Sequence, residues 1–584
     1  MRLLKTALGF LILILMVGTV LHLAFSQQIN QSHIPRDTGD ELLNQGPKKE
    51  AVAEKVMVST QSVFATEAAL NVLYNGGNAV DAAITSVFLQ HVTEYNQVMH
   101  FGCLAGLYYE AKTGKYHAFN AVGERPLASR SEHGDPMKVS IGGTVRGLED
   151  LWKRFGSRPW ASYLEPGIAA AEEGVLMTSF MYAQIYHLFE GKDISRGRGD
   201  LAQNKEARKF YMPDGFLIPV GKRWRMPKLA EHLQKVASKG ADYLYTGEWG
   251  QKFVKEANRV GGRVTMEDMA DYKVLWTEPL RFSYRGYEII TEPPPVYGGL
   301  TVLYNLNILE NFDLEAMGHY VESTDTLEIM ARTFGRVWSE VRWLQDPLNF
   351  HVPTDLLLSK VYGKMGADFV RKTRMLSNIK FDLNEKAFFQ EDQNAQSTMG
   401  KTYEAENVSC GSNASVIVDA EGNWITYLHT GHGGAPGVFI DGVRATGSNM
   451  HSSVWGKGRR LLFPSVATIV AKNGKPWIAL GTPGSPPQPV TEVLINILDF
   501  GMHPKDAADA PRFWAFQNFD RTIQIESRIS PKIRADMKAR GIKIKDLTDY
   551  NWHTGSFQIV WYNAKTGKIH GISDPRRLGY AMGF

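Results

Sequence analysis

Residues 375–411 are polar, hold Gln390, Glu391, Asp392, Glu404 and Glu406, and show no apolar periodicity. They end at Cys410-Gly411-Ser412, where the apolar run Ser415–Asp419 begins. An exposed loop running straight into a core strand is where a precursor cut would fit. An ordinary surface loop closed by a Gly-Ser turn is the other reading. Other chemistries lose their support. The sequence has no HExxH, no P-loop and no GxSxG, which removes the usual marks of a metalloprotease, a nucleotide enzyme and a lipase. Two cysteines, Cys103 and Cys410, make neither a disulfide framework nor a Cys-rich zinc site. No metal and no cofactor is expected.

The chain has 584 residues, 43% hydrophobic and 22% charged, the balance of a folded globular protein. The net charge of +4 is small, and no long block of like charge occurs, so nucleic acid is not an expected partner. Arg2 and Lys5 precede an apolar run from Ala7 to Phe25, with small residues at Ala24 and Ser26. That is the layout of a signal peptide, and the run is also long enough to span a bilayer uncut. The protein is expected to be exported: periplasmic, extracellular, or anchored with its body outside the cytoplasm. Residues 27–54 are polar and read as a flexible tether.

Val63–Tyr74 has helical spacing and is stopped by Gly76-Gly77. Asn78, with Asp81 three residues on, caps a second helix over Ala79–Leu89 that is apolar on nearly all sides. Four segments read as hairpins around short glycine turns: Leu107–Phe119, Ser415–Leu428, Ala467–Leu480 and Phe557–Ser573. Runs such as Val416-Ile417-Val418 are apolar on successive positions, so these strands are covered on both faces. Buried antiparallel strands with buried helices imply helices outside two packed sheets, an α+β, four-layer αββα sandwich. Residues 150–400 are mostly helical by pattern, with Ser323–Leu344 one long amphipathic helix. Pro293-Pro294-Pro295 with Gly298-Gly299 reads as a rigid segment and a turn.

From about residue 55 onward the chain resembles the γ-glutamyltranspeptidase family. The matching stretches, in order, include Gly76-Gly77-Asn78-Ala79-Val80-Asp81-Ala82-Ala83, Gly143-Thr144-Val145-Arg146-Gly147-Leu148, Leu164-Glu165-Pro166 and Tyr284-Arg285-Gly286-Tyr287. Pro293–Gly299, Asn307-Ile308-Leu309-Glu310, Gly481-Thr482-Pro483-Gly484, Ala510-Pro511-Arg512-Phe513 and Ser573-Asp574-Pro575-Arg576 follow. The resemblance implies the N-terminal-nucleophile hydrolase fold and a proenzyme that cuts itself. The family pattern Gly-Thr-Thr-His-x-Ser-Val-Val-Asp meets Gly411-Ser412-Asn413-Ala414-Ser415-Val416-Ile417-Val418-Asp419 without a gap. It therefore implies a cut between Gly411 and Ser412, with Ser412 as nucleophile and Thr430 as the hydroxyl that supports it. The chain then divides into 1–26 signal or anchor, 27–54 tether, 55–411 large-subunit region and 412–584 small-subunit region, the last two remaining associated. A hydroxyl is a weak nucleophile until a base takes its proton. In this design the base is the nucleophile's own α-amine, which titrates at about 7.7–8. Gly484 and Ser485 fill the place of the family's backbone oxyanion donors.

The substrate pocket departs from the family pattern. The carboxylate-reading arginine is absent or displaced to Arg125, since Asn120 follows Phe119 where it is expected. Two carboxylate-assisting serines become Phe463 and Pro464, and the pocket positions of an asparagine, a glutamine and an aspartate become His432, Asn449 and Ser452. Leaving a zwitterion's charges unpaired in a dry pocket costs several kcal/mol. The resemblance with these changes implies an amidohydrolase or acyltransferase acting on a small-molecule or peptide amide, with an acyl group other than γ-glutamyl. A true glutathione hydrolase or γ-glutamyl transferase and an inactive, membrane-tethered binding homologue are the alternatives. Cys410 as an N-terminal thiol nucleophile is a third.

Overall fold

Fourteen strands in two seven-stranded sheets set the positions of everything else. The computed structural model describes residues 46–127, 139–182, 185, 204–341, 344, 346–372, 412–431, 438–444, 460–461, 463–483, 487–515 and 522–584. The strands are β1 (Ala51–Ala53), β2 (Met57–Thr60), β3 (Cys103–Glu110), β4 (Lys115–Ala121), β5 (Leu275–Thr277), β6 (Leu280–Tyr284) and β7 (Tyr287–Thr291). They continue as β8 (Ser412–Val418), β9 (Trp424–Thr430), β10 (Ala467–Lys472), β11 (Lys475–Gly481), β12 (Gln558–Asn563), β13 (Lys568–Ser573) and β14 (Tyr580–Gly583). One sheet runs β14-β2-β8-β9-β3-β4-β5 and the other β1-β13-β12-β11-β10-β7-β6. All four expected hairpins form, each antiparallel.

The sheets pack face to face. Leu107, Val416 and Val418 of the first meet Ile290, Ile469, Ala479 and Val560 of the second in one buried cluster. Outside the first sheet lie α1 (Val63–Tyr74) and α2 (Ala79–Thr93). Asn78 caps α2 as expected: its side chain accepts from the Val80 and Asp81 N–H groups, and the Asp81 carboxylate accepts from Asn78 N–H. The helix runs four residues beyond the expected Leu89, and every residue of it is buried. Outside the second sheet lie α3 (Tyr297–Leu309), α4 (Thr324–Val341) and α5 (Pro487–Leu498). This is the expected four-layer αββα sandwich.

Three sequence expectations need correction. Gly298-Gly299 does not form a turn; it opens α3. A Cβ on Gly298 would stand 2.0 Å from the Ser465 carbonyl oxygen, and one on Gly299 2.3 Å from that of Glu292. The pair is glycine because this helix end presses on the neighbouring backbone. Leu280–Thr291, expected within a mostly helical region, is the hairpin β6–β7. The tether does not reach residue 54, since Ala51–Ala53 pairs with β13. The N-terminal apolar run and the loop 375–411 lie outside the described residues. Among the described residues no helix is long and apolar enough to cross a membrane.

Candidate active site

Ser412 is the first residue of β8 and is buried. In the β8–β9 register it stands opposite Thr430, and Thr430 stands opposite Cys103 of β3. A row of Ser, Thr and Cys therefore crosses three adjacent strands. Alternation puts Ser412, Ala414 and Val416 on the face between the sheets. The neighbouring strands agree: the Thr426 hydroxyl, on the Thr430 face, reaches the Leu480 carbonyl of the opposite sheet at 3.3 Å. A Cβ on Gly481, the last residue of β11, would sit 3.4 Å from the Ala414 Cβ. The segment after β11 thus leaves the second sheet beside the strand that Ser412 begins. Its Thr482 hydroxyl accepts the Ser556 N–H at 2.8 Å. Gly484 and Ser485 follow but lie outside the described residues, as do Gly411, His432, Asn449 and Ser452.

The opposite face of β8 and β9 meets α2. Asn413 pairs in register with His429, whose Nε2 is 2.8 Å from the Gln90 Oε1. The Tyr427 hydroxyl is 2.5 Å from that of Ser86. Beyond His429 the rings of His91, His100 and His232 follow one another at centroid spacings of 5.4, 4.3 and 5.4 Å. Burial keeps all four imidazoles well below the ordinary histidine value, with His232 and His429 down at about 3. Among the described residues no group of three or more His, Cys, Asp or Glu could hold a metal ion.

Sequence reasoning passed over the edge of β8. β2 pairs with β8 only from Ser415 onward, so among the described residues the Ser412 carbonyl has no strand on that side. Arg577 fills the gap: its Nη1 donates to the Ser412 carbonyl at 3.1 Å and to Gln97 Oε1 at 2.8 Å. Its guanidinium lies 5.2 Å from the Trp552 ring centroid. Gln97 also accepts the Gly431 N–H through its backbone carbonyl at 3.0 Å. The Arg577 segment is clipped from the N-terminal side. The Lys48 ammonium donates to the carbonyls of Asp574 (3.0 Å), Gly579 (2.8 Å) and Arg577 itself. Burial lowers Arg577 to about 10, still a cation at neutral pH. Burial raises the Glu94 carboxyl to about 8, against the opposing pull of Arg577 and a hydrogen bond from Ser62. The one sequence signal for this group is that Arg577 directly follows the Ser573–Arg576 stretch quoted above.

Two expected pocket residues are described. Phe463 is buried in an apolar cluster with Cys103, Ala105, Val122, Val296 and Leu428. Cys103 and Leu428 tie that cluster to the Ser412 row, since Cys103 is opposite Thr430 and Leu428 is two residues before it on the same face. Arg125 is also buried. Burial depresses its guanidinium, and the Asp346 carboxylate is the charge that counters this. Asp346 also accepts the Arg460 N–H at 2.6 Å.

A four-layer sandwich with a hydroxyl residue at the head of an inner strand defines the N-terminal-nucleophile hydrolase class, in which amides are cleaved by acyl transfer to that residue. The chain belongs to the γ-glutamyltranspeptidase family: the family model Gamma-glutamyltranspeptidase matches residues 65–584. It is 26% identical to the glutathione hydrolase proenzyme of Escherichia coli (strain K12) over 552 residues, 90% of this chain and 91% of that one. It is 28% identical to the acylase ACY 1 proenzyme of Pseudomonas sp. (strain SE83) over 533 residues, 85% of this chain and 88% of that one. Its fold is similar to the crystal structure of cephalosporin acylase from Bacillus halodurans, with a TM-score of 0.78 and 24% identity over 92% of this chain and 97% of that one. The protein is an amidohydrolase or acyltransferase of this family.

Proposed function

We propose that the precursor is cut between Gly411 and Ser412, and that Ser412 then attacks the substrate amide. The observation that carries this reading is the register of Ser412 against Thr430 in a buried row at the head of β8. The freed α-amine takes the Ser412 Oγ proton, and Oγ attacks the carbonyl carbon. Backbone N–H groups at Gly484 and Ser485 meet the oxyanion. The C–N bond breaks as the ammonium returns its proton to the leaving amine. Water, or an acceptor amine, then attacks the ester by the same path and frees Ser412.

The acyl group is other than γ-glutamyl. Phe463 and its apolar neighbours stand beside the row, and Arg125 already faces the Asp346 carboxylate. Both features suit an acyl chain without a free α-carboxylate and α-amine, and one relative is named an acylase. The basic-then-apolar N-terminus supports export, with the catalytic body outside the cytoplasm, either released or held by that run as an anchor.

Intact-mass analysis tests the cut. Purified protein should give two chains joined only non-covalently, the smaller beginning at Ser412, and Ser412→Ala should give one. A small chain beginning at Cys410 would move the nucleophile to that thiol, and a single wild-type chain would make this a binding homologue. Hydrolysis of aliphatic acyl anilides should exceed that of the γ-glutamyl anilide. The reverse order would make the protein a glutathione hydrolase like the Escherichia coli relative.

A further inference from the structure

We propose that Arg577 is a positioning residue whose fixed charge holds the α-amine of Ser412 in its uncharged, basic form. This rests on the reading of Ser412 as the new N-terminus. The Arg577 Nη1 bonds the carbonyl oxygen of the residue that carries that amine, at 3.1 Å. Amine and carbonyl share one Cα, so the guanidinium charge lies within about 6 Å of the amine nitrogen. A positive charge at that distance disfavours the ammonium form. Both groups are buried, so salt and water screen the interaction weakly.

What else faces Ser412 decides whether this charge is felt. Just after α2 comes Glu94, the carboxyl that acts most strongly on Arg577. Burial raises it to about 8, so at neutral pH it is mostly protonated and offsets only part of the Arg577 charge. Gln97, which shares Nη1, is neutral. From β9 comes Thr430. On the far face of the sheet His429 and His91 are kept uncharged by burial. Asp574, on the same segment as Arg577, is already paired with Arg512 and Arg576. The Lys48 ammonium is turned onto backbone carbonyls of that segment. Among the described residues the local balance at Ser412 is therefore positive.

The remaining donors of Arg577 support the same conclusion. Among the described residues its Nε and Nη2 are buried without a hydrogen-bond partner. A guanidinium kept only to fill the gap beside β8 would be expected to find a carboxylate, because an unpaired buried cation is costly. Here the carboxyls whose charge reaches it, Glu94 and Asp574, make no hydrogen bond to it among the described residues, while Trp552, Gln97 and the Lys48 clip hold it in place.

Competitive acetylation of the small chain tests this directly and needs no substrate. Protein is pulsed with acetic anhydride across pH, and acetylation of the Ser412 amine is read by peptide mass spectrometry. The Arg577→Gln protein should reach half-maximal labelling about one pH unit higher than wild type. Arg577→Lys, which keeps the charge, should restore the wild-type midpoint. A merely structural role would alter folding or yield but leave the midpoint in place. Equal midpoints for split wild-type and Arg577→Gln protein overturn the proposal. Should Arg577→Gln fail to fold or split, Arg577→Met removes the charge and keeps an apolar stem in the gap. Its midpoint should rise in the same direction, and an unchanged midpoint overturns the proposal. A wild-type chain with no free Ser412 amine removes the underlying reading and this proposal with it.

Discussion

The α-carbon of Gly102 lies against the main-chain carbonyl of Thr430 so closely that a Cβ there would stand 2.1 Å from that oxygen. Gly102 also accepts the Gly143 N–H at 2.7 Å, which ties it to the loop before the next helix. Any side chain at 102 must push the end of β9 away. Gly102→Ala should therefore cost about 1–3 kcal/mol of stability. It should also lower the fraction of split chains, because Thr430 moves relative to Ser412. A melting scan and a denaturing gel read both effects. An alanine protein that melts and splits like wild type would mean the strand end yields freely.

Thr430 faces Ser412 across the ladder, and its hydroxyl is the group the family resemblance assigns to support the nucleophile. Replacing it by valine keeps the β-branched shape and removes only the oxygen. A lost hydrogen bond of about 1–3 kcal/mol predicts turnover of split enzyme slower by about 5- to 150-fold. Thr430→Ser should recover most of the rate. Steady-state kinetics on the best anilide decides it, and equal rates for the valine and wild-type proteins would remove Thr430 from the mechanism.

The parts of this molecule legible in its sequence are those set by local chemistry. The Asn78–Asp81 cap and the Gly76-Gly77 stop fix the helices over Val63–Tyr74 and Ala79–Thr93. Glycine turns between β-branched runs fix four hairpins, and with them the Ser412–Thr430 register. What local pattern misses is contact between distant segments. Gly298 and Gly299 look like a turn because the carbonyls they avoid belong to Ser465 and Glu292. Arg577 meets Ser412 across 165 residues of sequence, and no spacing rule records that approach. Of the pocket positions, Phe463 and Arg125 can be placed, and Asp346 beside Arg125 had no sequence signal at all.

Glu94 makes stability depend on pH in the alkaline direction. Its folded value of about 8 lies above the ordinary 4.5, so folding favours the protonated form. The associated stability is complete below about pH 4.5 and is lost as pH rises toward 8. The loss is at most on the order of 5 kcal/mol, at about 1.4 kcal/mol for each pH unit between the two values. Glu94→Gln keeps an acceptor and a similar shape but does not ionise. Its melting temperature should fall less than that of wild type between pH 5 and pH 8.5. Parallel curves for the two proteins would show that Glu94 ionises freely in the fold.

The four buried imidazoles act at the other end of the scale. His232 titrates at about 3 in the folded protein because burial disfavours its cation. The unfolded chain takes up that proton near pH 6.5. A depressed value means stability that is present above pH 6.5 and lost as pH falls toward 3. For His232 alone the loss between pH 7 and pH 5 is about 2 kcal/mol. Its ring is packed among His100, Tyr243 and Trp249 at centroid distances of 5.4, 5.6 and 5.9 Å. Among the described residues neither of its nitrogens has a hydrogen-bond partner. Phenylalanine fits such a ring-lined site and carries no proton to take up, so His232→Phe should be at least as stable as wild type at pH 7. Between pH 7 and pH 5 it should lose about 2 kcal/mol less, measured by urea unfolding at the two values. His429 has the same depressed value and sits one residue before Thr430. Acid that charges this cluster therefore opens the strand facing Ser412, and activity should disappear together with the His429 side of the fold. A His232→Phe protein that weakens in acid as steeply as wild type would show that other groups govern the acid limit.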